Sequence, residues 1–68
     1  METFKITGDY IQLIQLLKAT GLCMSGGEAK ICVEEGMVSL NGEVELQKRK
    51  KIRAGDIVEF EGETVKVE

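Results

Sequence analysis

Five basic side chains within six consecutive positions form the strongest chemical feature of this 68-residue chain. This basic segment, residues 48–53, contains Lys48, Arg49, Lys50, Lys51 and Arg53. It holds five of the nine basic residues, which leaves four to set against twelve acidic ones, so the net charge of −3 conceals a local excess of positive charge. Because surface charges are screened beyond about 8–10 Å in physiological salt, this local excess predicts a polyanionic partner.

The types of these cations suit phosphate recognition. Lysines act as flexible point charges, whereas Arg49 and Arg53 can bind a phosphate through two parallel hydrogen bonds or stack on a base. The apolar residues Leu46 and Ile52 flank the segment, and we expect them to anchor its ends to the core while the cations project outward. A solvated loop that only keeps a small protein soluble is the alternative.

A glycine pair marks a second candidate for phosphate binding. Gly26 and Gly27 fall in the first turn of a predicted helix, where bare backbone would let a phosphate approach the free amides and the positive end of the helix dipole. Glu28 opposes this interpretation, and the glycines can equally serve close packing. Lys30 is either a contact at the rim of such a site or an ordinary surface lysine.

The sequence contains few of the residue combinations that enzymes use for catalysis or that proteins use to bind metals. The chain has no histidine, which removes the commonest metal ligand and a frequent proton-transfer group. It has no Ser-His or Cys-His pairing and no glycine-rich phosphate loop, and several carboxylates alternate with apolar residues on predicted strands. We therefore expect no enzymatic activity, no catalytic residues, no metal and no cofactor.

The cysteines and the apolar runs bear on the protein's environment. Cys23 and Cys32 lack the paired spacing of a zinc site and lie in an apolar stretch, so we expect buried free thiols in a reduced, cytoplasmic environment. No apolar run approaches the length of a membrane span, and no signal-peptide pattern follows Met1. We expect neither a membrane partner nor a small-molecule substrate.

Two helices are expected to position the glycine pair. Asp9 can cap a first helix, whose apolar positions begin at Tyr10 and whose polar residues repeat every three positions. This helix is expected to end at Gly21. Ser25 and Glu28 have the spacing of a capping box that begins a second helix. A glycine at position 36 closes this second helix, and the short connection between the two predicts a compact helical hairpin.

Short strands are expected to present the basic segment. One strand is predicted over residues 3–6, and beyond the second helix the apolar residues alternate with a period of two. Asn41 and Gly42 then form a strong hairpin signal, because both positions of such a turn need positive φ. Further strands are predicted over residues 57–60 and 64–67. This order predicts a single α+β domain over residues 1–68, with the helices on one side of an antiparallel sheet.

Four motifs carry a resemblance to a known family. They are LLKATGL at the end of the first helix, SGGEAK at the start of the second, EEGMVSLNGEVE through the hairpin and KIRAGDIVEF at the close. Together they resemble the RNA-binding domain first known from ribosomal small-subunit protein S-four, whose fold is called the alpha-L motif. The resemblance covers residues 10–60 and is closest to small stand-alone bacterial members with a basic loop. It implies a helix-turn-helix pair beside a small antiparallel sheet of three to five short strands.

The resemblance also implies binding to structured ribosomal or transfer RNA through a surface shared by the helix pair and the hairpin. Carried over position by position, that surface comprises Lys18, Ser25, Gly26, Gly27, Lys30, Asn41, Lys48, Arg49, Lys50 and Lys51, with Arg53 extending it. The chain departs from the pattern in lacking arginines near the glycine pair, so the basic segment must supply more of the electrostatic attraction. Ala54 stands where many members of the family have proline. This departure matters less than the missing arginines, because Gly55 and Asp56 retain the residues that form the turn.

These observations favour a non-enzymatic RNA-binding protein that recognises its target by shape and phosphate placement. Association with the ribosome is one form that this function can take. The chain has only three aromatic residues, Phe4, Tyr10 and Phe60, which argues against a protein that stacks on the bases of single strands. A protein-interaction module that docks an acidic partner through the basic segment is the main alternative, and DNA binding is a further one.

Overall fold

The computed structural model describes residues 2–68, and its two helices and seven short strands confirm the α+β class. The elements in chain order are β1 Glu2–Phe4, β2 Ile11–Gln12, α1 Leu13–Ala19, α2 Gly26–Glu34, β3 Val38–Leu40, β4 Glu43–Val44, β5 Lys51–Ile52, β6 Ile57–Phe60 and β7 Glu63–Val67. No helix within residues 2–68 is long and apolar enough to cross a membrane.

The strands form a five-stranded sheet and a separate two-stranded one. The larger sheet has the order β1-β7-β6-β3-β4, and its pairs are antiparallel except that β1 runs parallel to β7. The expected antiparallel arrangement therefore holds for the strands that follow the helices. The exception is possible because β1 and β7 lie at opposite ends of the chain. Parallel strands cannot be joined by a tight turn and need a long connection, which the rest of the chain provides here.

Helix α1 begins later than the sequence pattern predicts, and the expected cap at Asp9 is wrong. Gln12 occupies the N-cap position, and its backbone N–H donates a hydrogen bond to Oε1 of Gln15 at 3.3 Å. The cause is non-local, because Ile11 pairs with Ile52 across the two-stranded sheet and is held in an extended conformation. The predicted end of the helix is confirmed by positive φ at Gly21.

Helix α2 has the boundaries that its local signals predict. The hydroxyl of Ser25 accepts a hydrogen bond from the backbone N–H of Glu28 at 3.2 Å. The Glu28 carboxylate accepts from the backbone N–H of Met24 at 3.4 Å, one residue before the position that a standard capping box uses. Gly36 follows the helix with φ 77°, the left-handed conformation that a terminal glycine supplies.

The hairpin turn at Asn41 and Gly42 is confirmed. Their φ angles are 52° and 88°, and the flanking residues Leu40 and Glu43 pair directly. This combination is the one that a two-residue turn between right-twisted strands requires. The hairpin brings the chain back along β3 before it leaves the sheet toward the basic segment.

The core lies between the two helices and one face of the larger sheet. Its largest fully buried side chains include Leu13, Leu16 and Leu17 of α1 together with Ile52 of β5. The expected anchoring by Ile52 is therefore confirmed, whereas that by Leu46 is wrong because Leu46 is 61% exposed. The physical reason is that β4 is an edge strand of the larger sheet, where Val44 is itself 59% exposed, so the chain that continues from it to Leu46 lies outside the core.

Both cysteines are buried and free, as the sequence pattern predicts. Cys23 follows α1 and Cys32 lies on α2, and both thiols belong to the apolar core. Burial raises the pKa of Cys23 to about 12, and the neighbouring Cys32 thiol adds to the effect. The Cys23 thiol is therefore protonated at neutral pH and acts as a small apolar side chain.

Candidate nucleic-acid interface

The basic segment is attached through its backbone to the beginning of α1. The backbone N–H of Leu13 donates to the carbonyl oxygen of Lys50 at 2.9 Å, and that of Ile14 donates to the carbonyl oxygen of Lys48 at 3.1 Å. These two amides are among those that a helix leaves without partners in its first turn. The segment thus satisfies the helix, and the helix fixes the path of the segment.

Attachment through the backbone leaves the basic side chains available to solvent. Arg49, Lys50, Lys51 and Arg53 are exposed, and Lys48 is half-buried. Four of these cations line an open depression of about 390 Å³, whose lining residues are Gln47, Arg49, Lys50, Lys51 and Arg53. Among the described residues no carboxylate lines it. Such a depression can hold an anionic group of the size and charge of a phosphate.

Lys48 differs from the other four cations because it has an acidic partner on the neighbouring helix. Its Nζ atom lies 3.9 Å from Oε2 of Glu34 on α2. Both side chains are partly exposed, and an ion pair of this kind contributes about 0–1 kcal/mol. The pair brings one end of the basic segment to the outer face of α2 while leaving Lys48 able to exchange Glu34 for another anion.

Lys51 lies against an aromatic ring that precedes α1. Its Nζ atom is 4.9 Å from the centre of the Tyr10 ring, within the range of a cation–π interaction. Exposed interactions of this type contribute about 0.5–1 kcal/mol, enough to bias the orientation of the lysine without fixing it. The contact exists because Gln12 pairs with Lys51 across the two-stranded sheet, which places Tyr10 beside the segment.

The end of the segment at Arg53 is held by a carboxylate. Oδ2 of Asp56 accepts a hydrogen bond from the backbone N–H of Arg53 at 2.8 Å, and Oδ1 accepts from Nδ2 of Asn41 at 3.1 Å. Oδ1 of Asn41 in turn accepts from the backbone N–H of Ile57 at 2.9 Å. Asn41 therefore joins the hairpin turn to the turn that follows Arg53. Its side chain has a positioning role, and its contact with RNA stays a prediction.

The glycine pair at the start of α2 is not required by internal packing. A Cβ added at Gly26 would meet no atom within 4 Å, and one added at Gly27 would meet only the hydroxyl oxygen of Ser25 at 3.9 Å. Neither glycine has positive φ. Close packing within the chain therefore does not account for the pair, and phosphate binding at the start of this helix stays a prediction.

The lysines on the helices differ in their relation to the basic segment. Lys30 is exposed one turn before Glu34, and residues four apart lie on the same face of a helix, so Lys30 and Lys48 share one side of α2. Lys18 is exposed in the last turn of α1, at the opposite end of that helix from the segment. Lys30 therefore lies on the same side of the protein as Lys48, whereas Lys18 lies away from the basic segment.

A family model described as the S4 domain matches residues 4–68. The chain belongs to the S4 domain family. A solved structure supports this assignment, namely the solution structure of YbcJ from E. coli, which is described as revealing an alpha-L motif involved in RNA binding. It is 44% identical to this S4 domain with a TM-score of 0.76, and the match covers 98% of this chain and 86% of that one. The resemblance seen in the sequence motifs is thereby confirmed.

Relatives of this S4 domain occur both as small proteins and within a larger one. The candidate RNA-binding protein YbcJ of Escherichia coli is 44% identical over 98% of this chain and 97% of its own. RlbA of Bacillus subtilis, named as a probable ribosome maturation protein, is 39% identical over 84% of this chain and 80% of its own. The tyrosine–tRNA ligase of Ralstonia nicotianae is 41% identical over 79% of this chain but only 14% of its own length.

Three residues important to the site of this S4 domain do not stand out in the sequence. Asp56 fixes the backbone of Arg53, Glu34 pairs with Lys48, and Tyr10 contacts Lys51. The contacts of Glu34 and Tyr10 join segments that are far apart in the chain, whereas Asp56 and Arg53 are three positions apart within one turn. The one local signal is at Asp56, since an aspartate after a glycine commonly bonds to backbone within a turn.

Proposed function

We propose that this S4 domain is a non-enzymatic protein that binds structured RNA, with ribosomal or transfer RNA as its target. Phosphates of the RNA are held by the basic segment, and the fixed arrangement of the cations selects a backbone of matching shape. The observation that carries the proposal is the attachment of the segment to α1 through the carbonyl oxygens of Lys48 and Lys50, which leaves the cationic side chains exposed.

Attachment of this kind favours binding for a physical reason. A flexible basic loop would lose conformational freedom when it bound a phosphate backbone, and that loss weakens affinity. Here the two ends of the segment are already ordered, one through the bond between Ile14 and Lys48 and the other through the bond between Arg53 and Asp56. Binding then needs only the side chains to reorient.

We propose a larger contact surface around the segment. Lys30 and Lys48 share one side of α2, and the start of that helix, with Ser25, Gly26 and Gly27, lies on the same element. Asn41 at the hairpin turn and Lys18 at the end of α1 complete the surface. The glycine pair supports the proposal because its backbone is open to an external group, whereas Lys18 is the member with the least structural support.

The names of relatives guide the choice of RNA. RlbA is named for ribosome maturation and another relative is a tyrosine–tRNA ligase, which favours ribosomal and transfer RNA as targets to test first. The name of RlbA also supports the proposal that this S4 domain associates with the ribosome or with its precursors. The proposal carries a cytoplasmic location with it, because both kinds of RNA act there.

Recovery of bound RNA from cells tests this proposal. The tagged protein is crosslinked in cells, purified with or without ribonuclease treatment, and the attached RNA is sequenced. We expect ribosomal or transfer RNA enriched over a variant in which Arg49 and Lys51 are both changed to glutamate. If partners are recovered equally after ribonuclease treatment, and the variant loses them too, the basic segment docks an acidic protein instead of RNA.

A further inference from the structure

A small pocket opens beside the basic segment, on the side of Tyr10. It has a volume of about 160 Å³ and is lined by Phe4, Lys5, Ile6, Thr7, Tyr10 and Ile11. The pocket adjoins the segment because Ile11 pairs with Ile52 and the Tyr10 ring contacts Lys51. An apolar pocket is thus joined to a strongly positive surface.

Tyr10 differs from the other apolar residues of this pocket in how little it contributes to the core. Phe4, Ile6 and Ile11 are partly buried and pack against the core cluster, whereas Tyr10 is 44% exposed and is not part of that cluster. Stability therefore does not account for an aromatic ring at this position. Proteins that bind single-stranded nucleic acid combine cations that follow the phosphate backbone with aromatic rings on which bases stack.

We propose that Tyr10 and this pocket receive an unpaired nucleobase of the RNA, while the adjoining phosphates lie on the basic segment. The inference rests on the proposed function and adds to it one specific feature of the target, a bulged or looped-out nucleotide in an otherwise structured RNA. Such nucleotides are the usual points at which proteins contact bases in folded RNA, because the bases of a continuous RNA duplex are poorly accessible.

The charges around the pocket favour a nucleotide over an acidic or neutral peptide side chain. Lys5 lines the pocket and Lys51 lies over the ring, and no carboxylate within residues 2–68 lines it. A base that stacks on Tyr10 competes with the ammonium group of Lys51 for the ring. The flexible lysine side chain can then move to the phosphate of the same nucleotide, so its charge remains paired.

A single exposed ring is enough for this role. The scarcity of aromatic residues still argues against a protein that follows a single strand, since such proteins stack several successive bases. One ring beside a phosphate-binding segment instead suits one unpaired base within a duplex. Recognition of a folded RNA by its shape is therefore compatible with stacking of one unpaired base on Tyr10.

The chain offers a direct optical test, because Tyr10 is its only tyrosine and it has no tryptophan. Tyrosine emission is measured while the protein is titrated with three RNA hairpins that are fully paired, carry one bulged adenosine, or carry an abasic residue at the bulge. We expect the bulged adenosine to quench the emission, and the paired and abasic hairpins to bind without comparable quenching.

Affinities of variants complete the test. Tyr10→Ala should weaken binding of the bulged hairpin by about 5- to 140-fold, the range for loss of one stacked base, and leave binding of the abasic hairpin unchanged. Tyr10→Phe retains the ring and should bind as the wild type does. Leu46→Ala removes another exposed apolar side chain, at the other end of the segment, and should have no effect on either hairpin.

Two results would overturn the inference, and they can be told apart. If Tyr10→Ala binds the bulged hairpin as tightly as wild type while Lys50→Ala weakens every hairpin, the pocket does not receive a base but the basic segment still binds RNA. If the variant carrying Arg49→Glu and Lys51→Glu binds all hairpins as tightly as wild type, the proposed function fails together with the pocket.

Discussion

The backbone N–H of Leu13, the first residue of α1, donates a hydrogen bond to the carbonyl oxygen of Lys50 at 2.9 Å. This bond joins the beginning of α1 to the centre of the basic segment. Leu13 is fully buried, so its backbone is held by the core, and the position of Lys50 is fixed through it. The backbone of the segment is therefore ordered, and it fixes the positions from which the cationic side chains extend.

The hairpin turn should depend on glycine at position 42. Gly42→Val should lower the free energy of unfolding by about 1–3 kcal/mol, because the residue has φ 88° and a β-branched side chain is strained there. No atom lies within 4 Å of an added Cβ, so the effect comes from the backbone alone. Urea denaturation measures it, with Gly26→Ala as the control. Equal destabilisation by both substitutions would contradict the turn assignment.

The contact between Asn41 and Asp56 should contribute to stability as a unit. Asp56→Ala removes the acceptor for both Asn41 and the backbone of Arg53, and should cost about 1–2 kcal/mol. Asn41→Ala should cost a similar amount. Denaturation of the double variant should show less than the sum of the two single losses, since the residues share one network. Strict additivity would mean that the two side chains act independently.

Ser25 should stabilise α2 whether or not it contacts RNA. Ser25→Ala should lower the free energy of unfolding by about 0.5–2 kcal/mol, because the backbone N–H of Glu28 loses its side-chain acceptor. Thermal denaturation and an RNA titration are carried out on the same variant. A large loss of RNA affinity at a temperature where the variant is fully folded would show that Ser25 also contacts the RNA. Unchanged stability would contradict the capping role.

Stability should decrease in alkaline solution through Cys23. Its pKa is about 12 in the folded protein against an ordinary value of 9.0, so between these values the folded protein retains a proton that the unfolded chain releases. The free energy of unfolding should therefore fall as pH rises above 9.0, by at most about 1.4 kcal/mol per pH unit from this group. Below pH 9.0 the contribution of the neutral thiol is fully present.

The measurement compares urea denaturation of the wild type and Cys23→Ala under reducing conditions, below and above that pH. The substitution itself costs stability because it leaves a small cavity in the core, so only the slopes against pH are compared. We expect a shallower decline for Cys23→Ala. Identical slopes would show that the Cys23 thiol titrates normally in the folded protein.

The elements that could be predicted from the sequence are those whose determinants are local. Helix α2 has its cap at Ser25 and its terminating glycine at Gly36, and the hairpin turn is indicated by Asn41 and Gly42, two residue types that readily adopt positive φ. In the same way the basic segment is evident from composition alone, because five cations in six positions need no partner to be recognised.

The features that could not be predicted depend on contacts between distant parts of the chain. Ile11 and Ile52 are forty-one positions apart, and their pairing delays the start of α1. The parallel pairing of β1 with β7 likewise joins the two ends of the chain. Leu46 is exposed because it continues an edge strand whose Val44 is also exposed, and the apolar pattern alone does not show which strand lies at the edge of the sheet.

The dependence of RNA affinity on salt tests the central claim most directly. Titrations of ribosomal and transfer RNA at several salt concentrations should give a slope of at most about 3.5–4.5 in log affinity against log salt if five cations contact phosphate. Alanine at any one position of the basic segment should reduce this slope by about one unit or less, whereas Lys66→Ala, an equal charge loss on β7, should leave it unchanged. The variant carrying Arg49→Glu and Lys51→Glu should not bind measurably at physiological salt. Equal reductions from Lys66→Ala and from the segment variants would contradict a localised phosphate-binding site.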